Sequence, residues 1–370
     1  MIEISSQNLL HNIKVCRDKL SKNIQITGVV KANAYGHGLK EVVSVIEDKI
    51  DLFQVDDLLE LKKIRQYTKK PVLVFGFVSE KELEEAVSLD GVLGVYNLDI
   101  VEKLNSIAEK QNKSIKIHVK IDAMIGRQGI LVDQVKDFFT ALKEFNKLEV
   151  VAIYSHFSNI EDEIHLSHAK VQYKILMKAK KIAQGVGFKN ISHHISATSG
   201  FLTDQKNNWG GTILRLGIGL YGLWPSLELQ KSYEKEIDFK PVLSWKTEVV
   251  QVKEVPVGFP IGYGCTFKTD KPTKIAVIPQ GYGDGYDRKF SNNSNVLIGG
   301  VRCPVLGRVA MNMFVVEVSN LERVSVGEEV VLIGKQADEE ITVEELAEKI
   351  DTINYEIVTR IWPDLPRVIK

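Results

Sequence analysis

The order of apolar and polar positions divides the chain in two. Over about the first 220 residues, short apolar runs alternate with stretches whose apolar residues recur at helical spacing. The runs predict eight strands, at Ile24–Ala32, Asp51–Val55, Pro71–Phe77, Gly91–Tyr96, Ile115–Asp122, Glu149–Ser158, Ile191–Ala197 and Thr212–Gly219. Between them, Asn97–Lys110, Asp133–Glu144 and Ile164–Gly185 carry apolar residues on one face and charges on the other, and predict helices. Strand then helix, eight times over roughly 200 residues, predicts an α/β fold built on a closed parallel (β/α)8 barrel of the TIM type. An open doubly wound sheet, the alternative, usually stops at about five or six strands.

The pattern changes after Trp224. Pro225 and the charged stretch Lys231–Lys240 read as a connector. From Pro241 onward the apolar runs are short, alternating and separated by turn residues, which predicts a C-terminal all-β domain, a small barrel or sandwich. One helix is predicted there, at Val343–Ile350, with Thr342 as its N-cap and Glu345 completing a capping box. The expected division is therefore residues 1–230 for the barrel and 231–370 for the β domain.

Composition narrows the function classes. The 370 residues carry 48 basic and 48 acidic side chains, so there is no basic excess to attract nucleic acid or an anionic membrane, and neither is expected as a partner. Cys16, Cys265 and Cys303 form neither a metal-ligand spacing nor a disulfide framework. No metal is expected, and a reducing compartment is. The amino terminus has no long apolar core and no small-residue cleavage site, so no signal peptide or spanning helix is expected, and the cytoplasm is the expected location.

Lys31 is the first candidate for chemistry. It ends the first apolar run and is followed by a glycine-punctuated loop, Ala32 to Gly38. In a β/α barrel that edge of the strands is where active sites lie. An amine held among apolar walls is disfavoured as the ammonium, and a neutral amine can attack a carbonyl to form a Schiff base. Taken singly, His156 at the end of an apolar run reads first as a core histidine with a satisfied hydrogen bond, and Arg127, Tyr263 and Tyr282 read as well for structure as for function. Arg215 is harder to set aside, because a charge inside an apolar run must find a partner.

The joint order of several segments resembles the alanine racemase family. VVKANAYGHG is similar to that family's cofactor-lysine segment, HVKIDAMIGRQGI to its fifth-strand segment and YSHF to its sixth. RLGIGLYG, IGYGCTF, GYGDGY, GRVAMNM and TINYE follow in the family's order. The resemblance implies a pyridoxal 5'-phosphate (PLP) enzyme interconverting L- and D-alanine and supplying D-alanine for peptidoglycan. It implies Lys31 and Tyr263 as the two catalytic groups, Lys31 also carrying the cofactor. Tyr35, Ser199, Tyr355 and the backbone amides of Gly217 and Ile218 would hold the phosphate. His156 would lie against the pyridine ring and Arg215 would face its nitrogen. An arginine there can only donate, which leaves the ring a weaker electron sink than a carboxylate would. Arg127 and the Met311 amide would bind the substrate carboxylate. A tyrosine acting as a base near neutral pH needs positive charge or donors nearby, and Arg127, His156 and Arg215 are the candidates. Lys120 stands where some members carry a carbamylated lysine. A homodimer with two shared sites is implied, with Tyr263, Tyr282 and Met311 reaching into the partner's barrel.

Three segments depart from the family's wording: Asn312 follows Met311 in place of Asp, Thr198 precedes Ser199 in place of Asn, and Ala123-Met124-Ile125 stand before Gly126. Cys265 reads as a small apolar filler beside Tyr263. The alternatives are a broader serine or lysine racemase, a PLP-dependent decarboxylase of the same fold, and a non-catalytic PLP-binding protein. The decarboxylase would place an acid where Arg215 stands, and the binding protein would have no use for Tyr263.

Overall fold

The computed structural model describes residues 1–161, 166–207 and 209–370. Two compact units emerge. One comprises Asn8–Ala32 and Val43–Lys240, the other Met1–Gln7, Asn33–Val42 and Pro241–Lys370.

The first unit is the barrel. Eight parallel strands pair in the order Ser192–His194, Leu148–Tyr154, Ile115–Lys120, Gly91–Val95, Val72–Val74, Leu52–Val55, Gln25–Val29 and Ile213–Leu216. Each falls inside, or within one residue of, a predicted run. The seam between the first and last of these is bridged by two backbone bonds, Thr212 N–H to His193 O at 3.1 Å and Arg215 N–H to Ser196 O at 3.2 Å. Most strands are shorter than their apolar runs because the last residues of the run leave the ladder to form the loops above the barrel; Leu52–Val55 instead ends where its run does. Aromatic rings fill part of the interior: Phe75 stacks on Tyr154 at 4.2 Å, and Tyr154 on His194 at 5.3 Å.

The predicted helices are present at Leu98–Lys110, Val135–Leu142 and Ser167–Val186. Ile164 and His165, at the start of the third prediction, lie outside the described residues. Part of the expected connector is helical instead: Leu227–Tyr233 forms a helix capped by Ser226, whose hydroxyl accepts from Leu229 N–H at 3.2 Å. Leu229 and Tyr233, one turn apart, bury against the barrel unit and hold that helix in place.

In the second unit a ten-stranded sheet gathers the short C-terminal strands. It also takes in the N-terminal strand Ile2–Ile4, which pairs antiparallel with Leu243–Glu248 and parallel with Arg367–Ile369. The predicted helix is found at Val343–Lys349, and Thr342 accepts from Glu345 N–H at 3.0 Å. The reciprocal half of the capping box is missing. The Glu345 carboxylate turns instead to Arg302, accepting at 2.8 and 3.0 Å, because a bidentate charged partner outweighs a single backbone amide.

Candidate active site

The expected loop after Lys31 is a single helical turn, Lys31–Tyr35, of left-handed sense. Ala32, Asn33, Ala34 and Tyr35 have φ of 52, 53, 54 and 52°. Side chains in this region cost about 1–2 kcal/mol per residue. Local bonds offset that cost: Asn33 Oδ1 accepts from Leu39 N–H at 2.9 Å, and Asn33 O accepts from Gly38 N–H at 2.9 Å. His37 closes the turn through Nδ1 and Tyr35 O at 2.8 Å, and burial pushes its pKa down to about 4. The turn swings the chain away from the strand and leaves Lys31 at the barrel's edge.

Lys31 is not enclosed by apolar walls, as the sequence led one to expect. Its side chain is 42% exposed, and its Nζ donates to Asp56 Oδ1 at 3.4 Å. The strand-end position that singles out Lys31 also holds Asp56, just past Val55 in the next run, so the same signal could have found it.

Four cations lie within electrostatic reach of His156, and Arg215 touches it. Burial, then Arg215, Arg127, Lys120 and Lys31, push the pKa of His156 down to about 3, so its ring is neutral at physiological pH. Arg215 Nη2 lies 3.2 Å from His156 Nδ1, which must therefore accept, leaving the ring proton on Nε2. The same guanidinium nitrogen donates to Ser155 O at 2.9 Å and Ile195 O at 2.6 Å, which is how a cation 5% exposed is accommodated inside a strand. Lys120, at the end of Ile115–Lys120 and only 4% exposed, donates to Gln128 Oε1 at 3.0 Å and lies 5.8 Å from the Tyr154 ring centroid. Burial first, then Arg127 and Arg215, lower its pKa to about 8. The loop carrying Arg127 is tied down by Asp122, whose carboxylate accepts from the amides of Ile125, Gly126 and Arg127 at 2.9, 3.2 and 3.2 Å. Gln128 and Asp122 supply this order, and neither was among the residues singled out from sequence.

At the next strand ends the hydroxyl facing the Gly217–Gly219 loop belongs to Thr198. Its Oγ1 accepts from Gly219 N–H at 3.2 Å. A Cβ at Gly219 would lie 2.7 Å from Thr198 Cγ2 and 2.8 Å from Phe239 Cζ, so only glycine lets the loop pass this close. The neighbouring Ser199 hydroxyl donates to Glu161 Oε1 at 3.0 Å. Thr198 stands where the family's wording is broken, which hid it.

In the second unit, the Tyr35 and Tyr355 rings lie 6.0 Å apart at 48°. Gly283 N–H donates to Met311 O at 2.8 Å and Tyr282 N–H to Ala310 O at 3.1 Å, which brings the segments of Tyr282 and Met311 together. Tyr263 sits in a short turn, Tyr263–Cys265, and is 72% exposed; Met311 is also exposed.

Residues 4–225 match the model of the alanine racemase N-terminal domain, and residues 242–369 that of the alanine racemase C-terminal domain. The chain belongs to the alanine racemase family. It is 36% identical over 369 residues to an alanine racemase of Methanococcus maripaludis, covering 99% of this chain and 97% of that protein. To an alanine racemase of Methylacidiphilum infernorum it is 35% identical over 370 residues, covering 99% and 91%. The crystal structure of alanine racemase from Bacillus anthracis with bound L-Ala-P superposes with a TM-score of 0.92 at 29% identity, covering 100% of this chain and 94% of that one. As a member of the alanine racemase family the protein is an isomerase that depends on pyridoxal 5'-phosphate. The barrel's own residues fit that cofactor. Lys31 offers an amine to an aldehyde, Arg127 can answer a carboxylate, Arg215 can donate to a ring nitrogen, a neutral imidazole can lie against an aromatic ring, and a glycine loop with a neighbouring hydroxyl can take an anion's oxygens.

Proposed function

We propose that this racemase exchanges L- and D-alanine, with Lys31 and Tyr263 moving the Cα proton on opposite faces. The observation that carries the reading is the placement of Lys31 just past one strand of the parallel barrel and Lys120 at the end of another, with Arg215 Nη2 3.2 Å from His156 Nδ1. Bound at Lys31, pyridoxal 5'-phosphate would draw electron density from Cα and make its proton removable. Arg215 stays protonated and only donates, so it keeps that withdrawal moderate and favours return of the proton over competing fates. His156 would lie against the ring. Tyr35, Tyr355, the amides of Gly217 and Ile218, and a hydroxyl of the Thr198–Ser199 pair would hold the phosphate, with Thr198 favoured by its contact to Gly219. Arg127 and the Met311 amide orient the substrate carboxylate. His156 is held neutral and contributes no positive charge, so the cations available to a phenolic base are Arg127 and Arg215. Lys120, with its lowered pKa, is suited to accept CO2 as a carbamate beside Arg127.

The protein acts as a homodimer with shared sites. The exposure of Tyr263 and Met311 supports this, since a base and a carboxylate binder left at the surface need a second copy's barrel to act on. Formation of D-alanine for peptidoglycan in the cytoplasm completes the reading.

Tyr263→Phe tests it. Enantiomers have equal free energies, so kcat/KM must fall equally in both directions. A positioned acid–base group contributes about 100- to 10,000-fold. Racemisation should fall by that factor, while one enantiomer still exchanges its Cα hydrogen with deuterated solvent through Lys31. Racemisation within about tenfold of wild type would remove Tyr263 from the chemistry. Chiral analysis of serine and lysine alongside alanine tests the substrate. Faster turnover of either would overturn alanine as the preferred one.

A further inference from the structure

Glu60 makes an unusual use of a half-buried carboxylate. It stands in the first turn of the helix Leu58–Ile64, where Asp57 Oδ1 caps its backbone N–H at 2.9 Å. Its two oxygens take two backbone amides from different parts of the barrel edge. Oε1 accepts from Ala32 N–H at 2.6 Å, and Oε2 from Asp56 N–H at 2.8 Å. Ala32 is the residue after Lys31 and the first with left-handed φ. Asp56 is the residue whose carboxylate meets the Lys31 amine. Among the described residues Glu60 has no ion pair with a cation, and burial pushes its pKa up. Gly76 completes the arrangement. Its N–H donates to Asp56 O at 2.8 Å, and a Cβ there would stand 2.3 Å from that oxygen and 2.6 Å from Asp56 Oδ2. The chain thus accepts a partly desolvated carboxylate and a close backbone approach in order to hold two peptides, the one that follows Lys31 and the one that carries its ion-pair partner.

A carboxylate that only pinned a helix start could use any nearby amide. Glu60 instead couples the peptide that aims Lys31 to the peptide that aims the partner of Lys31. We propose that Glu60 and Asp56 are a positioning pair for Lys31: Glu60 fixes both backbones, and the Asp56 carboxylate receives the amine whenever it is not covalently engaged. No bond to substrate is made by either residue. The proposal rests on reading Lys31 as the cofactor lysine.

The test compares the full-length wild-type protein with Glu60→Gln and Asp56→Asn. Glutamine keeps the shape but offers one acceptor oxygen, so one of the two amides loses its bond. Asparagine keeps an acceptor for the amine without its charge. Each protein is stripped of cofactor and mixed with pyridoxal 5'-phosphate, and the rate of attachment is followed by absorbance. Borohydride reduction and peptide mapping then locate the modified residue. Both variants should still be modified at Lys31. Attachment rate and kcat should each fall about tenfold, the effect of one charge-assisted hydrogen bond, with KM for alanine within about twofold. A merely structural role would lower thermal stability and leave the attachment rate of the folded protein unchanged. Lys31 modified at wild-type rate in both variants overturns the positioning pair. Modification of another residue in the wild-type protein overturns the assignment of Lys31 itself. If Glu60→Gln does not fold, Asp56→Asn alone decides.

Discussion

Replacing Arg215 with leucine separates the structural share of this residue from its chemical one. Arg215 lies inside a barrel strand, and its Nη2 is the donor given to Ser155 O and Ile195 O. Leucine retains much of the apolar stem but none of the donors. A buried carbonyl without a partner costs about 1–3 kcal/mol, so the two together cost roughly 2–6 kcal/mol. Removing the cation also removes its repulsion of Lys120, which offsets part of that loss. A net destabilisation of about 3 kcal/mol is expected. For a body of this size each kcal/mol moves Tm by about 2–4 °C, so the barrel should melt roughly 6–12 °C lower. Thermal unfolding of cofactor-free protein by circular dichroism at neutral pH measures it, with Arg215→Lys, which keeps a charged donor, expected between the two. Imidazole NMR gives a second reading. With the Arg215 charge gone, the His156 pKa should rise from about 3, yet stay below the ordinary value because burial is the larger cause. A leucine variant melting within about 1 °C of wild type would mean that Arg215 is not what satisfies these carbonyls.

Acid should destabilise the fold from about pH 6.5 downward. His118, pushed to about 3 chiefly by burial, and His194, pushed well below its ordinary value, are both buried in the barrel. Their folded pKa values lie below the unfolded ones, so the unfolded chain binds more protons in acid. The stability is complete above about pH 6.5 and is lost as pH falls toward about 3, His118 costing roughly 2 kcal/mol at pH 5 and His194 acting in the same direction. Urea midpoints at pH 7 and 5 should differ accordingly, and equal midpoints would refute it. Thr198→Val should weaken pyridoxal 5'-phosphate binding about tenfold in fluorescence titration, whereas Ser199→Ala should change it less than about twofold; the reverse order would return the phosphate to Ser199. Isotope-labelled bicarbonate should give a carbamate carbon resonance that Lys120→Arg abolishes, and its absence from the wild-type protein would leave Lys120 as an amine held by Gln128.

Much of this architecture is legible along the chain. The barrel strands follow from β-branched apolar runs, because a strand covered on both faces excludes polar residues along its length. Lys31, Arg215 and His156 stand out because each interrupts or ends such a run. Local pattern carries no information about partners distant in sequence. Asp56 meets Lys31 across 25 positions, and Glu60 reaches Ala32 across 28. Ile2–Ile4 finds its place only against strands that begin at Leu243 and Arg367, far along the chain. Glu345 looked like one half of a local cap, and a guanidinium 43 positions away outcompeted the amide. Thr198 and Ser199 are adjacent hydroxyls, and only the path of the glycine loop distinguishes them. Side-chain pattern dictates which segments must be buried, but which polar atoms then meet depends on distances that exist only after the elements have packed.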